Sequence, residues 1–297
     1  MRPHFLIIRT TSLADVALAL RIVYPVVRLH PEYRFTFLMK PSLTGVLVNA
    51  PANLEAMVID LDRSEKRIAG MLRLVRKLRN ERFTGVIDLE RSRRSRFIST
   101  VLCTFSKAKL SRVPRTVAVS KTKMKYIPYD EGKRYLEHFT DCFRKSGLIE
   151  GELPAETSVL SPSEPQCEAI RNRIGIAPFA KNGTPEEALE VANQIATALK
   201  NSFGIDSLVI GADENVTHKF ITKENEGNIF PYSSFYKEIG MLSSLRIVLG
   251  VDTSRLQLAR LVGVPVLFLK ELPHTKEQIN QYVLTPLQGL LAQQTNQ

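Results

Sequence analysis

Short apolar runs alternate with longer amphipathic segments along most of the chain. FLIIR at 5–9 has the length and branched content of a buried strand. From 13 to 29, Leu13, Val16, Ala17, Leu20, Val23 and Val27 share one face at the helical period. RFTFLM at 34–39 predicts a second strand, followed by a short helix and by a strand at 57–62, MVIDLD. A helix over 63–80, a strand VIDL at 86–89 and a helix over 130–146, stopped by Gly147, complete the first half. This strand and helix alternation predicts an α/β protein with a parallel sheet covered by helices on both faces.

The pattern then breaks. IEGELPAETSVLSPSEP at 149–165 is rich in Pro, Ser and Glu and has no strong period. The alternation restarts with IGIA at 174–177, a helix over 185–201 and SLVIG at 207–211, and continues through IVLGV at 247–251, a helix over 254–262 and VPVLFL at 264–269. Two doubly wound units are therefore expected, at 1–160 and 161–275. A length of 297 residues, at roughly 100–200 per domain, suits that division. No internal repeat is visible.

Charge separates the two halves more sharply than hydropathy does. Residues 1–150 hold 29 Lys and Arg against 14 Asp and Glu, a net of +15, whereas residues 151–297 hold 12 against 16, a net of −4. The first half is built to face something anionic: nucleic acid, an acidic membrane surface or a phosphorylated substrate. Trp is absent and no basic stretch interleaves aromatics that could stack bases, which disfavours nucleic acid. Solvated helix faces account for some of the basic residues at 73–82, but less well for ERSRRSR at 90–96, where four arginines crowd together after an apolar strand.

No apolar run reaches the roughly 20 residues of a membrane span, and the start MRPHFLIIRTTSLADV lacks the longer apolar region of a signal peptide. The expected location is the cytoplasm. Cys103, Cys142 and Cys167 are too far apart for a close-paired metal or redox motif, and no metal site is expected.

Ligands of open parallel sheets bind beyond the carboxyl ends of the strands, so the strand-to-helix junctions carry the candidate chemistry. Neither a G-x-G-x-x-G nor a G-x-x-x-x-G-K-[ST] pattern occurs. In IIRTTSLADV, Thr10, Thr11 or Ser12 can cap the following helix, and Asp15 falls in its first turn. Asp15 is then either a general base at the mouth of the sheet or an acid that only stabilises the helix start. IGIAPFAKNGTP offers backbone amides and the Lys181 ammonium to an anion. IVLGVDTSRLQ brings Asp252, Thr253 and Ser254 to a helix start, where a cap and a diphosphate cradle can coexist.

In order and spacing these junctions resemble glycosyltransferase family 9, the ADP-heptose:lipopolysaccharide heptosyltransferases. IRTTSLAD at 8–15 is similar to the family's I-R-x-[ST]-S-x-G-D, and VIDLERSRRS at 86–95 to a strand V-I-D-L followed by a polar loop with L-R-[ST]. IGIAP at 174–178 resembles I-G-[IL]-A-P, and GVDTSRLQLARLVGVPV at 250–266 resembles G-x-D-[ST]-G-x-x-H-L-A followed by L-G-V-P-V. The segment from Glu131 to Tyr135 looks like the acidic and aromatic start of the family's interdomain helix.

The resemblance implies a GT-B fold, two Rossmann-like domains facing a cleft, with a C-terminal helix at 276–297 packing back on the first domain. It implies inverting, metal-independent transfer of a heptose or related sugar from a nucleotide diphosphate such as ADP-heptose to a phosphorylated lipopolysaccharide core. Peripheral contact with the anionic inner face of the inner membrane would follow. Carried over by position, Asp15 is the catalytic base; Lys181, Asp252, Thr253, Ser254 and Gln257 hold the donor; Ser12, Arg94 and Ser95 face the acceptor. Four positions depart from the pattern: Ala14 and Ser254 stand where the family has glycine, Arg255 where it has proline or a small residue, and Gln257 where it has histidine. Two readings follow: a working transferase with a divergent donor pocket, or a GT-B scaffold that has lost transfer and binds a glycolipid or a protein. KELPHT follows the last strand in place of a G-x-T, and its His274 is expected to be a surface residue.

Overall fold

In a computed structural model the described residues are 2–47, 49–60, 67–114, 132–153, 168–179, 183–212, 226–231 and 234–295. The chain divides into two compact units, Met1–Val159 and Leu160–Gln297.

The first unit runs β1 (His4–Ile8), α1 (Leu13–Leu29), β2 (Arg34–Met39), a 3₁₀ turn (Pro41–Val46), β3 (Leu54–Val58), α2 (Ile68–Asn80), β4 (Gly85–Asp88), α3 (Arg93–Ser106), β5 (Lys109–Arg112) and α4 (Gly132–Lys145). Its sheet is parallel throughout, in the order β3-β2-β1-β4-β5. Met71, Leu74 and Leu78 of α2, with Ile98 and Leu102 of α3, pack on Leu6, Ile8 and Val86 of the sheet. The β1-to-β2 and β4-to-β5 crossovers run in opposite directions along the sheet, so right-handedness puts α1 on the opposite face from α3. There α1 packs with α4. Apolar on almost every side, α1 buries Val16, Leu20, Val23 and Val27 together with Tyr24 and Val26.

The second unit runs β6 (Ile174–Ala177), α5 (Pro185–Phe203), β7 (Ser207–Ala212), β8 (Ile229–Pro231), α6 (Phe235–Ser244), β9 (Ile247–Gly250), α7 (Thr253–Leu261), β10 (Val266–Phe268) and a C-terminal helical run through Lys276–Ile279, Asn280–Leu284 and Thr285–Thr295. Its parallel sheet, β8-β7-β6-β9-β10, has the topology of the first. The expected doubly wound α/β architecture is thus present twice. In each sheet the chain reverses its direction of travel between two central strands, β1 and β4 or β6 and β9. Loops leaving those two strands diverge to opposite faces and open a crevice at the carboxyl edge. The C-terminal segment, expected to return to the first domain, buries Ile279, Val283, Leu287 and Leu291 in the core of the second unit.

Several elements differ from the sequence reading. The strand expected at 57–62 lies at Leu54–Val58, because Leu54 pairs with Phe35 and the edge register ends at Met39 with Val58. The polar loop expected after VIDL is brief: Ser92 caps α3 by accepting from the Ser95 amide, and a helix begins at Arg93. The short strands β5 and β8 and the ten-residue helix α6 also go beyond that reading. Among the described residues no helix is long and apolar enough to cross a membrane.

Candidate active site

At the crevice of the first unit the loops after β1 and β4 are tied together. The Thr10 amide and hydroxyl both donate to Glu90 Oε2, at 2.6 and 2.7 Å, and Arg9 Nη1 donates to the Leu89 carbonyl at 2.6 Å. Ile8 and Asp88 are partners in the β1–β4 register, so the two loops leave the sheet side by side. Asp88 is fully buried and organises its turn: Oδ1 accepts from the Glu90 and Arg91 amides, and Oδ2 from Arg112 Nε and the Ser99 hydroxyl. The aspartate of VIDL is thereby explained as a turn builder, charge-balanced by Arg112 at 2.9 Å.

Asp15 closes a capping box with Ser12: its Oδ2 accepts from the Ser12 amide while the Ser12 hydroxyl accepts from the Asp15 amide, both at 3.3 Å. Its other oxygen lies 3.3 Å from Arg9 Nη2. Asp15 is 2% exposed and Arg9 is fully buried, with the guanidinium carbon 5.5 Å from the centre of the Phe139 ring. Asp15 Oδ1 has no hydrogen-bond donor among the described residues, so the ion pair leaves acceptor capacity on that oxygen. Arg9, Asp15 and Glu90 are all buried at this edge of the sheet, Arg9 paired with Asp15 and Glu90 holding Thr10, and the Asp15 oxygen without a donor is the atom left to accept a proton. Arg94 is exposed at the start of α3, whereas Ser95 is buried and its hydroxyl donates to the Ser92 carbonyl. Ser12 acts as the helix cap.

The second unit uses the same edge. Gly250, at φ 146°, lets β9 approach β6 so closely that a Cβ there would stand 2.1 Å from the Ala177 carbonyl oxygen. That oxygen accepts from the amides of Val251 and Asp252, at 3.0 and 3.1 Å. The segments IGIAP and GVDT, more than 70 residues apart in the chain, are in this way joined at one point. Asp252 caps α7, its Oδ1 accepting from the Ser254 amide at 2.9 Å and from the Arg255 amide at 3.4 Å, while Thr253 opens the helix.

Arg255 turns back over this start. Its Nε donates to Glu238 Oε1 at 2.8 Å and its Nη1 to Asp252 Oδ2 at 3.3 Å. Burial raises the pKa of both carboxyls, and the Arg255 charge opposes that rise. Gln257, on the same helix, is 1% exposed, and neither amide atom has a partner among the described residues. Lys181 and Glu131 lie outside the described residues, while Tyr135 is buried with its ring edge-on to Phe139. His274 is exposed, its Nδ1 3.9 Å from Glu187.

Sequence reasoning singled out Asp15, Asp252 and Ser254 but not the residues that hold them. Arg9, Glu90, Phe139 and Glu238 went unassigned. For Arg9 and Glu90 the signal was available: Arg9 follows β1 directly and Glu90 follows β4 after one residue, and the last residues of both strands are buried.

Two parallel sheets of this topology match the GT-B glycosyltransferases among solved structures. E. coli heptosyltransferase WaaC with ADP-2-deoxy-2-fluoro heptose is similar at TM-score 0.65 and 15% identity, over 92% of this chain and 91% of that one. A glycosyl transferase of family 9 from Veillonella parvula gives 0.60 and 14%, over 90% and 81%. E. coli ADP-heptose lps heptosyltransferase II gives 0.59 and 13%, over 99% of both chains. The shared property is the fold. No protein-family model matches the sequence, and no curated protein matches it.

Proposed function

We propose that the chain is an inverting, metal-independent glycosyltransferase of the family 9 kind, moving a heptose or related sugar from a nucleotide diphosphate donor to a lipopolysaccharide-core acceptor. The observation that carries this reading is that four sequence segments resembling family motifs meet in pairs at the two crevices, IRTTSLAD with VIDLERS and IGIAP with GVDTS. A WaaC structure holds ADP and another a fluorinated ADP-heptose, which supports an ADP-sugar as the donor to try first.

In this reading Asp15 takes the proton of an acceptor hydroxyl as that oxygen attacks the anomeric carbon opposite the departing diphosphate. The C–O bond to the diphosphate breaks as the new glycosidic bond forms, through a state of oxocarbenium character. Arg9 holds the carboxylate in place. On the donor side, Lys181 and the first turn of α7 at Asp252, Thr253 and Ser254 stabilise the charge that develops on the leaving group, with Gln257 as a further donor. Basic residues of the first unit, Arg94 among them, meet acceptor phosphates. The place of work is the inner face of the cytoplasmic membrane.

The Arg255 clamp favours a second reading, a GT-B scaffold without turnover, because Arg255 and the Asp252 carboxylate already occupy the helix start. Calorimetric titration of the intact protein with ADP-heptose and with free ADP separates the two. The transferase reading expects saturable binding of the nucleotide sugar; no heat from any nucleotide or nucleotide sugar overturns it.

A further inference from the structure

Helix α2 is apolar on two sides. Its inner face buries Met71, Leu74, Val75 and Leu78 against the sheet, and that side completes the core. The outer face carries two large aliphatic side chains one helical turn apart, Ile68 at 76% and Leu72 at 52% exposure. At the helical period the same stripe continues through Arg76 and Arg79, both exposed. The Arg79 guanidinium carbon then lies 5.2 Å from the ring centre of Phe105, which α3 leaves 63% exposed. An apolar and cationic stripe therefore runs the length of α2 and onto its neighbour.

Neither helix contains an acidic residue. Arg73 flanks the stripe on α2, and Arg93 and Arg94 are exposed at the start of α3. Both helices run against the strands, so their N-terminal ends lie at the carboxyl edge of the sheet, the edge that holds Arg9 and Asp15. Single exposed apolar side chains are ordinary on protein surfaces. Aliphatic residues aligned with arginines on a helix that lies flat along a sheet are what an interfacial helix presents to a bilayer. Nucleobases bind chiefly on aromatic stacking platforms, and the most exposed part of this stripe is instead the aliphatic pair Ile68 and Leu72. Their gain comes from the boundary between headgroups and acyl chains.

We propose that the outer face of α2, with Phe105, is the surface by which this protein docks on an anionic membrane. Ile68 and Leu72 enter the headgroup boundary, and Arg73, Arg76 and Arg79 meet anionic lipid. The assignment deepens the membrane contact that the proposed acceptor implies, and gives it residues. It also orients the first unit so that the edge bearing Asp15 sits near the bilayer, where a lipid-linked acceptor would stand.

Flotation of the full chain with vesicles tests it. The wild type is expected to float with vesicles containing phosphatidylglycerol and not with pure phosphatidylcholine, less so as salt rises. Ile68→Ser with Leu72→Ser should weaken partition about tenfold or more, Arg76→Glu with Arg79→Glu should abolish it, and Leu29→Ser, an exposed leucine on α1 across the sheet, should leave it unchanged. Equal binding by the wild type and the double-serine variant, or no binding of the wild type, overturns the proposal. So does retention of a single-stranded RNA by the double-serine variant but not by the double-glutamate one, which would mark a nucleic-acid surface. Donor titration on the same variants should be unaffected. Loss of donor binding with vesicle binding intact would count against the transferase reading alone.

Discussion

The Arg9 guanidinium lies 3.3 Å from the Asp15 carboxylate, with both side chains buried. An ion pair so placed derives its strength from mutual need: each charge would be stranded without the other, and removing one partner of a buried pair costs about 3–5 kcal/mol. Arg9→Met is therefore expected to destabilise the protein by an amount of that order in urea denaturation. Adding Asp15→Asn should recover part of the loss. A double variant as unstable as the sum of the singles would show that the two do not act as a pair.

Gly250 supports a steric prediction. A methyl group there would meet the Ala177 carbonyl oxygen at 2.1 Å, in a backbone conformation that other residues rarely adopt. Gly250→Ala should cost about 2 kcal/mol or more and lower donor affinity through displacement of the Asp252 turn. Unchanged melting would contradict the close approach of β6 and β9.

Glu238 and Asp252 have pKa values raised in the folded state, chiefly by burial. A raised carboxyl pKa favours folding at low pH, below the unfolded value, and that contribution is lost as pH climbs through the folded value. The pH dependence of melting should therefore differ between the wild type and Glu238→Gln. Above the ordinary carboxylate range near pH 4, the wild type should lose stability relative to the variant. A constant difference across that range would show that Glu238 does not titrate with folding.

Arg255 tests the proposed donor site. Its charge offsets Asp252 and Glu238 at the start of α7. Arg255→Ala leaves two carboxylates facing an incoming diphosphate, and donor affinity should fall about tenfold or more. Glu238→Gln should raise it. The reverse pattern, with tighter binding once Arg255 is gone, would identify the arginine as a plug and favour the scaffold reading.

The repeated alternation of strands and helices was legible in the apolar periodicity, since β1, α1, β2, β6 and α5 are set by local patterns of buried residues. Helix α3 was obscured because its inward positions include Ser95 and Ser99 beside Ile98 and Leu102, and its outward ones crowd arginines into the first turn. Asp15 and Asp252 stood out as acids at helix starts. Their partners did not, since parallel pairing brings β4 beside β1 and β9 beside β6 across several intervening elements. Thr10 with Glu90, and Ala177 with Gly250, are contacts that only the sheet order creates. Arg255 was seen as a departure from a motif, while its engagement by Glu238 depends on where α6 lies.

The most direct measurement is single-turnover transfer from ADP-heptose to a lipid-linked core acceptor, comparing the wild type with an Asp15→Asn variant shown to stay folded and to bind donor. The account predicts turnover by the wild type and a rate about 10²–10⁴-fold lower in the variant, with donor affinity unchanged. Equal rates in the two proteins would contradict it.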